Sequence, residues 1–315
     1  MHPGPSNRPR CTRTARTART GLVAFKALVA FTALVAFKAL VAFKALVALK
    51  ALVALVALVA LVAWLPSILL VGCAMPRWTP NPSFTVSRPD AVQDLRRMRE
   101  DPVELERPLV FLAGIGDLSI SSGAIERAIE PTVRGPRVEM HFFDEFTFDG
   151  ARQKTLREIA SALGTSIEEI PEVDVIAFSM GGLVARAAAI PDEAGHRLPI
   201  RRLFTISTPH EGARLAGIPL GVPQGDDMCP TSDFIERLRR AKRDYELICY
   251  TRLDDVTVGE EFAAPEGVDL WWVPTPSGEW SHMAAFNDER ILADIARRLR
   301  GEAPWTRSPA APLPN

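Results

Sequence analysis

Residues 108–301 predict an α/β fold in which a mostly parallel sheet is wound on both faces, in a minimal form without a cap domain. Three observations carry this. Short apolar runs of strand length alternate with segments of helical spacing, Gly and Pro close the segments, and the connections are long enough for parallel crossovers. In such sheets the chemistry gathers in loops beyond the strand carboxyl ends.

The elements follow in order. PLVFLA (108–113) is a buried-strand run ended by Gly114, and 119–129 has helical spacing and stops at Pro131. RVEMHFF (137–143) reads as a strand and 151–163 as a helix closed by Gly164. VDVIAF (173–178) is a third strand, followed by a helix over 182–189. RRLFTIS (201–207), YELICY (245–250) and DLWWVP (269–274) complete the strands, and 233–243 and 284–299 the helices.

What precedes this region is of another kind. Residues 1–72 hold TRTARTART and then a six-residue repeat of the FKALVA type, which supports neither a coiled-coil seam nor a folded layer. They carry nine Lys/Arg and no acids, and 51–72 is an uncharged, mostly apolar run of 22 residues, long enough to cross a bilayer. The preceding cations favour a cytoplasmic N-terminus. The run ends LVGC, which resembles a bacterial lipobox and implies cleavage before Cys73 and lipidation of its thiol; an uncleaved anchor is the alternative. Either version exports the remainder to the periplasmic or cell-surface side of a membrane. Residues 73–107 begin with four prolines in the sixteen positions 74–89, the composition of a linker, with a short helix near 91–99; 302–315 is expected as a disordered tail.

Residues 73–315 hold 28 basic against 38 acidic side chains, which disfavours nucleic acid as a partner and leaves neutral or apolar ligands. Cys11, Cys73, Cys229 and Cys249 show no CxxC spacing and no histidines suited to a metal. Cys229 and Cys249 could pair or stay free.

Ser179 follows strand 173–178 and precedes a helix, with Ala177 and Gly181 two places to either side. A nucleophile elbow needs small residues at both places because strand and helix nearly touch there. AFSMGGLVAR is close to the A-H-S-M-G-G and G-H-S-M-G-G elbows of small lipases. FTISTPHEGARLA (204–216) is similar to a strand ending G-T-P-H-x-G, and FLAGIGD (111–117) to an H-G-x-G loop with Ala113 in place of histidine. On these motifs the region resembles an α/β-hydrolase of the lipase/esterase type. The resemblance implies oxyanion donors at the amides of Met180 and Ile115, a structural His210, and a base at His282 in WSHMAAFND. His141 lies within a strand and His196 in a polar loop, which suits neither for catalysis. The acid should follow strand 245–250. Asp254 and Asp255 both qualify, and the resemblance aligns Asp254 better.

The implied chemistry is acyl transfer through Ser179, His282 and Asp254, on an ester or lipid and without cofactor or metal. An acyltransferase on the same fold and a non-catalytic, membrane-anchored binding lipoprotein are the alternatives. The stretch 210–232, rich in Gly, Pro and apolar residues, could be a small lid or an ordinary loop.

Overall fold

A computed structural model describes residues 80–114, 116–117, 119–142, 145, 147–217 and 223–314. Cys11, the apolar run 51–72, Cys73 and Ile115 lie outside the described residues, so the expected anchor, the expected lipidation site and one of the two expected oxyanion donors do too. Among the described residues no helix is long and apolar enough to cross a membrane, and no group of His, Cys, Asp and Glu could hold a metal.

In chain order the elements are α1 (Arg88–Glu100), β1 (Val103–Glu104), β2 (Leu109–Leu112), α2 (Ile120–Ile129), β3 (Val133–Arg134), β4 (Arg137–Met140), α3 (Phe148–Leu163), β5 (Val173–Phe178) and α4 (Met180–Ala189). There follow β6 (Ile200–Ile206), α5 (Pro223–Asp227), α6 (Asp233–Arg240), β7 (Glu246–Arg252), β8 (Leu270–Val273), α7 (Ser281–Ala285) and α8 (Glu289–Leu299). Six strands form one sheet in the order β4-β2-β5-β6-β7-β8, every pair parallel. The order reverses at β2, whose neighbours are β4 and β5, and a crevice at such a reversal is where ligands bind in open α/β sheets.

Alternation along the strands builds two apolar layers. Val110, Leu112, Val175, Ala177 and Leu203 pack with α3, α4 and α6 on one face. Leu109, Phe111, Ile176, Phe178, Phe204 and Tyr250 pack with α1, α2 and α8 on the other. Local signals set the helix ends. Thr147 caps α3 by accepting from the Gly150 amide, and Gly164 closes it in the left-handed conformation.

The flanks are corrections to the sequence reading. Residues 80–107, expected as a linker beyond a short helix, belong to the domain: Phe84, Val86, Ala91, Leu95 and Met98 are buried in the second layer. The proline-rich opening ends by donating Asn81 Nδ2 to the Trp272 carbonyl at 2.7 Å. The tail is held as well. Buried Asp294 accepts from the Trp305 and Thr306 amides, the Tyr250 hydroxyl at 2.7 Å and Arg298 Nε at 3.1 Å, while Trp272 Nε1 donates to the Ala311 carbonyl at 2.9 Å. Its companion Asp94 takes Arg97, Arg297 and Trp305 Nε1. Buried polar anchors of this kind leave no trace in hydrophobic periodicity, so composition alone made both segments look unstructured. The helix read over 284–299 is two, because the Asp288 carboxylate caps a new start by accepting from the Arg290 amide.

Breaking a buried pair strands the partner's charge. Asp294→Ala, which leaves Tyr250 and Arg298 without their carboxylate, is expected to cost about 3–5 kcal/mol, read as a lowered midpoint in urea denaturation.

Candidate active site

The turn from β5 to α4 sets the geometry. Ser179 adopts φ 52° and ψ −126°, a strained conformation for a residue with a side chain, and the residue is 8% exposed. A Cβ on Gly181 would lie 2.5 Å from the Ala113 carbonyl oxygen and 2.7 Å from that of Leu112. A Cβ on Gly182 would lie 2.3 Å from Thr208 Oγ1, whose hydroxyl donates to the Ser179 carbonyl at 2.9 Å. Both glycines are therefore required by close approach. Ala177 needs no glycine: it sits fully buried in the sheet, in register with Leu112 on one side and Thr205 on the other.

His282 Nε2 is 3.2 Å from Ser179 Oγ, and His282 Nδ1 is 2.9 Å from Asp255 Oδ2. A carboxylate only accepts, so Nδ1 carries the proton and Nε2 is free to accept that of Ser179. The imidazole is 5.0 Å, centroid to centroid, from the Phe178 ring. Asp255 is fully buried, and its second oxygen, Oδ1, accepts from the Thr257 and Val258 amides at 3.0 Å each.

The structure thus pairs His282 with Asp255 and not with the Asp254 that the motif alignment favours. Asp254 takes φ 62° just past β7 and turns the chain, and the next residue carries its carboxylate to the imidazole. Two adjacent acids offer identical chemistry in sequence, and only this backbone turn separates them.

Met180 opens α4, so its amide is among those with no partner inside the helix. Gly114 closes in on the same place: a Cβ there would touch the Phe178 ring at 3.2 Å and Ser179 Cβ at 3.4 Å.

His210 stands apart from the triad. Arg186 Nη1, at 3.1 Å, can only donate to His210 Nδ1, so Nε2–H faces Thr205 Oγ1 at 3.0 Å. Complete burial, with Arg186 nearby, holds its pKa well below the ordinary value, which makes it a neutral structural imidazole. Cys229 and Cys249 are both free thiols, and burial pushes Cys249 up to about 12. His196 lies apart, against Glu168 and Asp192.

Ser179 and His282 open into a cleft of about 370 Å³. Its walls include Phe178, Ala216, Met228 and Val258, and its mouth Ile120, Leu215, Trp280 and Met283. Asp117, the one acidic side chain on the lining among the described residues, is turned to capping α2 through the amides of Ile120 and Ser121. The Asp255–His282–Ser179 line can move one proton from hydroxyl to imidazole beside an apolar cavity, and the sequence signal for the lining is weak because it comes from separate strands, helices and loops.

Comparison with known proteins follows the same lines. A family model described as a PGAP1-like alpha/beta domain matches residues 152–217, a stretch containing Ser179. Phospholipase PlaB from Legionella pneumophila is similar at TM-score 0.50 and 12% identity; the match covers 63% of this chain and 59% of that one, so this chain spans about three fifths of its length. Lipase BlEst2 from Bacillus licheniformis is similar at TM-score 0.42 and 18% identity, over 64% of this chain and 94% of the other. Among curated proteins nothing matches. With its reversed-order parallel sheet and its serine on a strand–helix turn, the chain has the α/β-hydrolase fold.

Proposed function

We propose that the protein is a serine hydrolase of carboxylic esters, with Ser179 as nucleophile, His282 as general base and acid, and Asp255 as the acid of the triad. One observation carries the reading: the continuous line Asp255–His282–Ser179, at 2.9 and 3.2 Å, opens into an apolar cleft. Nε2 takes the hydroxyl proton as Oγ attacks the ester carbonyl, and returns it to the departing alkoxide. Water, deprotonated by the same nitrogen, then displaces the acyl group and regenerates Oγ–H. Asp255 holds Nδ1–H and stabilises the imidazolium. The amide of Met180 supports the oxyanion, with that of Ile115 assigned from sequence as the second donor; losing one such donor costs about 3–4 kcal/mol. A cleft whose described lining is mostly apolar, with the Asp117 carboxylate occupied by a helix cap, suits an uncharged acyl chain, as in an aliphatic or lipid ester.

Export and attachment to a membrane through the 51–72 run or through Cys73 enter this proposal on the sequence alone. Cys73→Ser is expected to leave an unprocessed precursor of higher mass in immunoblots of cell fractions; an unchanged size would favour the uncleaved anchor.

For the chemistry, a fluorophosphonate probe should label the wild type and spare Ser179→Ala. Labelling of both, or of neither, would overturn the reading. Turnover of a p-nitrophenyl ester separates the two acids: Asp255→Asn should lower kcat by as much as about 10⁴-fold by upsetting the tautomer, whereas Asp254→Asn, which tolerates a left-handed turn, should stay close to wild type.

A further inference from the structure

Arg252 ends β7 with a side chain that is fully buried. Its Nη2 donates to Glu279 Oε2 at 2.6 Å, and its Nε lies 3.5 Å from Asp288 Oδ2. Nε and Nη1 have no hydrogen-bond partner among the described residues. A buried guanidinium using one of its donors is a poor stabilising device, since an apolar side chain of similar volume often serves as well or better.

Its position in the chain suggests another use. Arg252 lies three residues before Asp255, on the strand that delivers the acid. Glu279 lies three residues before His282, and Asp288 six after it. One cation therefore touches both ends of the segment that carries the base. That segment has little rigidity of its own, because α7 is a single helix of five residues, too short to hold its shape unaided. Its other ties lead to the same places. Ser281 Oγ donates to the Leu253 carbonyl at 2.8 Å, Arg290 grips both oxygens of Asp288 at 2.7 and 2.9 Å, and Arg88 from α1 reaches Glu279 at 2.9 Å and Glu289 at 3.1 Å.

We propose that Arg252 is a positioning residue that fixes His282 against Asp255 by clamping Glu279 and Asp288 to the end of the acid's strand. The idea rests on the reading of Ser179, His282 and Asp255 as a hydrolase triad. Removing the clamp lets the imidazole drift while the walls Phe178, Ala216, Met228 and Val258, all outside the clamped segment, stay in place, so the loss falls mainly on kcat, and KM feels only Trp280 and Met283 at the mouth.

The test compares wild type, Arg252→Met, Arg252→Lys and Glu279→Gln on a p-nitrophenyl ester, with the downfield proton resonance of His282 Nδ1–H as a second readout. Wild type must first turn over the ester; its failure would sink the hydrolase reading itself and not merely the clamp. Given activity, Arg252→Met should keep KM within about two-fold while kcat falls roughly 10- to 100-fold, the order that a misplacement of about 1 Å costs. The downfield resonance should broaden or vanish, and Arg252→Lys, which keeps the charge, should recover part of both. Should Arg252→Met fail to fold, Glu279→Gln, at a half-exposed partner, should show the same split to a smaller degree. Unchanged kcat, a rise in KM alone, or a lowered kcat with the resonance intact and no recovery in Arg252→Lys would each overturn the proposal.

Discussion

The site depends on one close approach: the backbone of Gly181 set against the carbonyls of Leu112 and Ala113. Because no side chain intervenes, α4 can begin directly over the end of β2, and Ser179 is forced into positive φ at the tip of the turn. The strained backbone is supported from below by Thr208, which binds the Ser179 carbonyl while its own position requires Gly182 to be bare. The neighbouring strand ends, β2, β5 and β6, thus hold one another, with Ser179 at the turn between β5 and α4.

The second half of the site is assembled differently. Asp255 comes from the turn after β7 and His282 from the short α7, 27 positions apart along the chain. Their meeting relies on polar anchors: two amides on Asp255, a hydroxyl to the Leu253 carbonyl, and charges around Glu279 and Asp288. The serine is fixed by shape and the base by electrostatics. This division suggests that the two would respond differently to salt, since screening weakens half-exposed ion pairs such as Arg88–Glu279 and does nothing to a steric fit.

Much of this was legible in the sequence. The VDVIAF strand coincides with β5 to the residue, and Ser179 and His282 meet as their order along the chain implies. What failed to show was whatever hydrophobic period does not encode. Asp254 and Asp255 differ by a backbone sign, and the tail 302–314, whose composition is that of a loop, is tied down by two buried carboxylates, Asp94 on α1 and Asp294 on α8. Arg252 was hidden for the same reason, a charge inside a strand whose purpose depends on partners 27 and 36 residues away.

The mouth of the cleft has a wider consequence. Among the described residues the large apolar side chains that stand well exposed are Ile120, Leu215, Val256, Trp280 and Met283, and four of the five line the opening, with Val256 next to the lining residue Thr257. Among the described residues the entrance therefore gathers the exposed apolar surface, and access to Ser179 and the stickiness of that surface become a single property: substituting polar residues there to raise solubility would also change what can enter.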